Sequence, residues 1–324
     1  MINGQVLVKV PASTANLGPG FDTLGMALSL YAWIEMEAAD GETVFELYGD
    51  GMKGLPEDKS NLLYQVAQMV FEEAGVHIPE LRIAMYSDIP LTRGLGSSAS
   101  AIVGALVAAN ALAGSPLSEE KLFHMASELE GHPDNVGASL FGGIVVSAWD
   151  GSRAEKVRIA PHADLEVLVA IPTFQLATEK ARHALPSMIE MKDAVYNVAS
   201  SSLLVAALAS GSLELIEFAM RDKLHQPYRA PLIPGMSEIL DKATEHGALG
   251  AALSGAGPTL LTLVDRRSTR KAELEAFLID TLQQHGIQAE TRWLMPDLNG
   301  PELSIGQTDR SIPFMERIKG EVRA

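Results

Sequence analysis

Cysteine is absent from this 324-residue chain, which excludes disulfides, zinc–thiolate sites and thiol catalysis and fits a reducing compartment. Long hydrophobic runs are lacking too. The longest, residues 101–113, is interrupted by Asn110 and falls short of the ~20 residues a membrane helix needs. Residues 1–11 read as an amphipathic strand without the apolar core of a signal peptide, so the expectation is a soluble cytoplasmic protein. Basic residues are in deficit: 25 Lys and Arg against 41 Asp and Glu leave a net charge of −16. With no basic, aromatic-interleaved stripe, that balance argues against a nucleic acid or an anionic membrane as partner. What the chain does have is 47% hydrophobic content, enough for one large core or two smaller ones.

Apolar spacing predicts strands at residues 5–10, 31–38, 43–48, 81–87 and 142–148 and helices at 61–74, 97–113 and 119–129. Asp150, Gly151 and Ser152 read as a turn, dividing the chain into residues 1–152 and 153–324. The second unit reads as strands at 165–171, 250–253, 259–264 and 289–294, with helices at 191–209, 212–223, 238–246 and 270–285. The tail after Pro296 lacks periodicity and is expected to end in mobile residues. Strands and helices intersperse without strict βα alternation, which favours an α+β fold.

The densest chemistry lies at Pro90, Leu91, Thr92, Arg93, Gly94, Leu95, Gly96, Ser97, Ser98, Ala99 and Ser100. Glycines here let the backbone fold tightly, and the helix that follows presents its unpaired first-turn N–H groups and positive dipole end to an anion. No Lys-Ser or Lys-Thr pair follows, so this is not a Walker A loop, and the dinucleotide G-x-G-x-x-G spacing fails after Gly96. Upstream, the glycine- and proline-rich residues 11–25 hold Asn16 and Asp22 in set directions, either for a ligand with hydroxyl or ammonium donors or as a loop of Asx-turns. Glu128 and Glu130 stand at a helix C-terminus, where the dipole disfavours a carboxylate unless a cation is near; magnesium, shared with a hydroxyl of Ser97 or Ser98, fits that role. His132 lies just beyond. Arg182 and Arg229, each in a constrained segment, form a candidate two-fork clamp for a carboxylate. Small residues from Gly247 to Thr259 allow close approach, to another segment or to a ligand.

Together these segments resemble the GHMP kinase superfamily, whose three motifs appear in order at residues 11–25, 90–100 and 250–258, and within it the branch that phosphorylates homoserine. The closer match rests on residues 11–22, on His132-Pro-Asp-Asn135, on Thr178, Arg182, Leu185 and Pro186, and on residues 227–234. The resemblance implies an N-terminal domain like domain 2 of ribosomal protein S5, a ferredoxin-like C-terminal domain, a site between them, and a homodimer. It implies ATP and Mg2+, with Asn61 at adenine, Gly94 to Ser98 around the triphosphate, Pro90, Leu91, Arg93, Ala99 and Ser100 in the same nucleotide site, and Ser98 with Glu128, preferred over Glu130, on the metal. Asn16, Asp22, Asn135, Arg182 and Arg229 would bind L-homoserine, Asp22 taking its ammonium and the arginines its carboxylate. Asn135 stands where other superfamily members place an aspartate, so the expected reaction is direct in-line attack without a dedicated base. Asn135 and Thr178 orient groups in that scheme, and His132 is the alternative acceptor.

Overall fold

The computed structural model of the chain describes residues 4–306, 311–320 and 322. In order the elements are β1 (Gln5–Ala15), β2 (Leu24–Ala38), β3 (Val44–Tyr48), α1 (Leu62–Glu73), β4 (Leu81–Ser87), α2 (Ser97–Ala113), α3 (Glu119–Glu130), α4 (Asp134–Phe141), β5 (Ile144–Trp149), β6 (Ala154–Ile159) and β7 (Leu165–Pro172). Then come α5 (Thr178–His183), α6 (Met191–Ser210), α7 (Ile216–Ala219), α8 (Gln226–Arg229), α9 (Met236–Lys242), β8 (Gly250–Leu253), β9 (Leu260–Asp265), α10 (Lys271–Gln284), β10 (Ala289–Leu294), β11 (Glu302–Gly306) and α11 (Phe314–Ile318).

The first sheet runs β11-β1-β2-β4-β3, with β5 and β6 continuing from the start of β2. Alternation along β2 sends Ile34 and Met36 to the face that α2 and α4 cover and Trp33 to the opposite face. Helix α2 is apolar nearly all round because it is buried nearly all round. The second sheet, β10-β7-β9-β8, is antiparallel throughout. Taken with the intervening helices, its chain order is the ferredoxin-like β-α-β-β-α-β arrangement. Strand β7 is apolar on both faces for a reason: Val167, Val169 and Ile171 join the large core shared with the first sheet, while Leu168 and Ala170 join a smaller core under α9 and α10. Among the described residues no helix is long and apolar enough to cross a membrane.

Several elements depart from the sequence reading. Strand β6, which the sequence reading did not include, pairs with β5 in the first sheet, so the chain changes sheets after Ile159 rather than at residue 152. The tail after Pro296 returns to the first sheet: β11 pairs with β1, and Phe314 and Ile318 of α11 pack on Trp33 and Ala84. The side chains of β11 are exposed, so no apolar alternation marks it; only backbone pairing makes it a strand. The expectation of mobile final residues falls on Arg323 and Ala324, outside the described residues. The helix expected at 212–223 shrinks to a 3-10 turn and α7. It stops because the Asp222 carboxylate accepts the backbone N–H groups of Leu224, His225 and Gln226, starting α8 instead.

Candidate active site

One cleft of about 260 Å3 gathers residues from β1, α2, α3, α4, α5, α8 and the loops after β1, β4 and β8. Helix α2 enters it N-terminus first. Its N-cap is Gly96, which offers no side-chain cap, and Ser97, Ser98 and Ala99 line the cleft. Unpaired first-turn N–H groups of this kind take an anion. Gly94 and Gly96 hold φ of +79° and +70°, where a side chain is strained. A Cβ on Gly94 would stand 2.3 Å from the Ser254 carbonyl oxygen, and one on Gly96 2.1 Å from Ser13 Oγ. Both glycines are therefore demanded by packing against β1 and the 254–257 loop, over and above any ligand.

The loop after β1 is strained: Asn16, Leu17 and Asp22 adopt φ of 72°, 46° and 53°. Asn16 holds that shape, accepting the Asp22 N–H on Oδ1 and donating from Nδ2 to the Gly255 carbonyl, each at 3.0 Å. Asp22 is thus aimed at Arg182, which clasps its carboxylate through Nη1 and Nη2 at 3.1 and 2.9 Å. Arg182 sits in α5, whose first residue, Thr178, also lines the cleft. Arg229 is buried; it donates through Nη1 to the Gly255 carbonyl at 3.0 Å and to His225 Nδ1 at 3.2 Å, and through Nε to the Ala181 carbonyl. His225 must then carry its proton on Nε2, which donates to the Gly18 carbonyl. Burial, and next the Arg182 charge, lower the Arg229 pKa to about 10, which leaves it cationic at neutral pH.

On the other wall His132 Nδ1 lies 2.7 Å from Asp134 Oδ1, which also accepts the Asn135 N–H. Burial alone would push the His132 pKa down, but the hydrogen bond to Asp134 and the charges of Asp134, Asp22 and Glu130 outweigh it and hold the pKa above the ordinary value.

Several expected site residues lie elsewhere. Glu128 is exposed, facing Glu72, Lys121 and His124 in a hollow between α1 and α3. Of the two glutamates, Glu130 is the one that lines the cleft. Two residues along a helix turn about 200°, so the two glutamates cannot share a face. Among the described residues Glu130 Oε1 is buried without a hydrogen-bond partner, a rare condition that a cation relieves. That donor set, a carboxylate in the same cleft as the Ser98 hydroxyl, fits magnesium. Asn61 does not line the cleft: its Oδ1 caps α1 through the Leu63 N–H and its Nδ2 donates to the Pro56 carbonyl. Arg93 turns away, donating to the carbonyls of Pro172 and Thr173 and tying the two sheets together. Pro90 lies with Arg93 along a separate hollow, Leu91 and Leu95 pack into the large core, and Ser100 is buried, bonded to the Ser97 carbonyl. The cleft adds Thr92, Asp134, Gly255 and Ala256. An aspartate between His132 and Asn135 was the available signal for one of them.

An open helix N-terminus facing a carboxylate–guanidinium pair defines the class: a phosphotransferase acting on a small polar substrate. The description "GHMP kinases N terminal domain" matches residues 61–143, and "GHMP kinases C terminal" matches 204–282. The chain is 44% identical to the homoserine kinase of Carboxydothermus hydrogenoformans over 297 residues, covering 91% of this chain and 96% of that one. It is 45% identical to that of Deinococcus radiodurans over 280 residues, 86% of this chain and 91% of the other. Among solved structures, a homoserine kinase from Cytophaga hutchinsonii superposes with a TM-score of 0.84 at 26% identity, over 94% of this chain and 98% of that one. A putative homoserine kinase from Listeria monocytogenes gives 0.73 at 31% identity, over 92% and 99%. The chain belongs to the GHMP kinase superfamily and, within it, to the homoserine kinase family.

Proposed function

We propose that the protein transfers the γ-phosphoryl group of ATP to the side-chain hydroxyl of L-homoserine, supplying O-phospho-L-homoserine for threonine biosynthesis, by direct in-line attack without a dedicated base. The observation that carries this reading is the Asp22–Arg182 ion pair inside the same cleft as the open end of α2. A zwitterionic amino acid can exchange that pair for two, its ammonium meeting Asp22 and its carboxylate meeting Arg182 and Arg229. A sugar offers neither charge and gains nothing from the pair, while mevalonate, with only a carboxylate, would draw Arg182 away and leave Asp22 unpaired in a half-buried site.

The triphosphate is cradled by the turn from Gly94 to Ser98. Glu130 and Ser98 would hold magnesium, which when bound offsets charge on the phosphates. The Asn135 amide cannot take a proton near neutral pH, and the His132 ring is tied through Nδ1 to Asp134. Phosphoryl transfer through a loose transition state asks little of a base; positioning and charge neutralisation lower most of the barrier. Asn135 and Thr178 position the hydroxyl, and the proton leaves late, to a phosphate oxygen. A homodimer in the cytoplasm is part of the same reading, supported by the family resemblance and tested by light scattering on the purified protein.

A coupled assay of ADP release decides the substrate. Homoserine should support turnover, with mevalonate and galactose at least a hundredfold lower in kcat/KM, about 2.7 kcal/mol of discrimination. Comparable rates with either alternative would defeat the reading.

A further inference from the structure

The floor of the cleft holds a chain of buried hydroxyls that the reaction as described does not use. Ser139 Oγ, on α4, donates to Ser13 Oγ, on β1, at 3.1 Å, and Ser13 Oγ donates to Asn135 Oδ1 at 3.0 Å. Both serines are 0% exposed. A buried hydroxyl is costly unless bonded, and neither serves as a helix cap, since Pro133 is the N-cap of α4. The chain runs from the core to the cleft and ends on one oxygen. The Ser13 backbone N–H meanwhile donates to the Leu95 carbonyl at 3.2 Å, and its Oγ lies where a Cβ of Gly96 would fall. One residue thus touches both the phosphate-binding turn and the Asn135 side chain.

We infer that Ser13, backed by Ser139, is a positioning residue that locks the Asn135 amide with Oδ1 toward the core and its NH2 toward the substrate hydroxyl. An amide is nearly symmetric in shape, and only its hydrogen-bond partners decide which way it faces. With Oδ1 turned to Ser13, Asn135 offers the substrate its NH2 donor. The substrate oxygen accepts from Nδ2 on one lone pair and attacks phosphorus with another. Its own proton cannot pass to Asn135 and moves to a phosphate oxygen as the O–P bond forms and the bond to the ADP oxygen breaks. The relay therefore fixes which end of the Asn135 amide the attacking oxygen meets, the NH2 donor.

This inference rests on the kinase reading, and a double-mutant cycle separates the two. Ser13→Ala, Asn135→Ala and the double variant are compared with the unmodified protein for kcat and for KM of homoserine and ATP. Ser13→Ala should lower kcat about tenfold while KM for ATP stays within about twofold. In the Asn135→Ala background the same change should cost less than about twofold, because the group through which Ser13 acts is gone. Losses that multiply across the two sites, or full kcat in Ser13→Ala, would overturn the relay and leave the kinase reading standing. Inactivity of the unmodified protein on homoserine would overturn both. If Ser13→Ala shows no cooperative melting transition, Ser139→Ala takes its place in the cycle, with an expected loss of about threefold and the same failure to multiply.

Discussion

Arg182 and Arg229 share a cleft, but Arg229 has a second job. Arg229 holds the Gly255 and Ala181 carbonyls and His225, all in the interior, so its loss leaves buried acceptors unpaired and unsettles the loop that carries them. Arg182 bonds only the partly exposed Asp22 among the described residues. It is the cleaner probe. Arg182→Leu should cut kcat/KM for homoserine at least tenfold with little change in ATP binding, since losing a charge-assisted bond to a substrate carboxylate costs roughly 2–5 kcal/mol; steady-state kinetics and nucleotide titration check both halves. The glutamates at the end of α3 separate in the same way. Glu130→Gln should lower kcat by about a hundredfold, in keeping with the several kcal/mol a divalent cation contributes, and should raise the magnesium concentration needed for half-maximal rate. Glu128→Gln should leave both within about twofold, and the opposite order would return the metal to Glu128.

At the scale of elements, β11 extends the first sheet at its β1 edge, and α11 is a strap on the face of that sheet that points away from the cleft. Phe314 stacks on Tyr48 at a centroid distance of 5.5 Å, Ile318 is buried beside it, and Arg317 donates to the Glu35 carboxylate at 2.6 Å. Burial, which outweighs the opposing Arg317 charge, raises the Glu35 pKa, so this contact lies in a poorly solvated place. Phe314→Ala removes a buried aromatic and should cost about 3 kcal/mol if the strap unfolds with the rest, and less if it detaches alone. Because Trp33 and the strap lie on one face of β2 and the residues under α2 on the other, kcat should stay near its original value in either case. Chemical denaturation measures the first quantity and the assay the second; a large fall in kcat without loss of stability would show that the strap reaches the site.

For the molecule as a whole, the cleft exists only because the two sheets are joined. Arg93 bridges to the carbonyls of Pro172 and Thr173, the Gly255 N–H donates to the Ala15 carbonyl, and one core runs through both sheets. Charge gathered at that junction makes stability depend on pH. His132 has a folded pKa raised above its ordinary 6.5, so its contribution is fully present below that value and is lost as pH rises through the folded pKa. The stability gap between the unmodified protein and His132→Gln should therefore be wider at about pH 5.5 than at about pH 8.5, measured by urea denaturation at each pH. A gap that widens with rising pH would show that His132 is held neutral, and would restore it as a candidate base.

The periodicity of the chain was enough for the four strands of the second sheet, for α1, α2, α3, α6 and α10, and for an α+β fold, because each of those buries one face or all of itself and its apolar residues must follow the 2.0 or 3.6 repeat. Residue type likewise singled out Asp22, Ser98, Asn135, Arg182 and Arg229, whose chemistry has few uses outside a charged cleft. Tertiary structure decided what repeats cannot encode. Strand β11 is made by pairing rather than by a buried face, and α4 forms across Pro133, Asn135 and Gly137 because it packs on β1 and β2. The sheet to which β6 belongs follows from its partner, not from its residues. The choice of Glu130 over Glu128 is a rotation of 200° about an axis whose direction only the packed helix defines. Ser13 and Ser139 stand 126 positions apart and as letters are two ordinary serines; a shared buried site, where a hydroxyl must find a partner, is what makes them a pair.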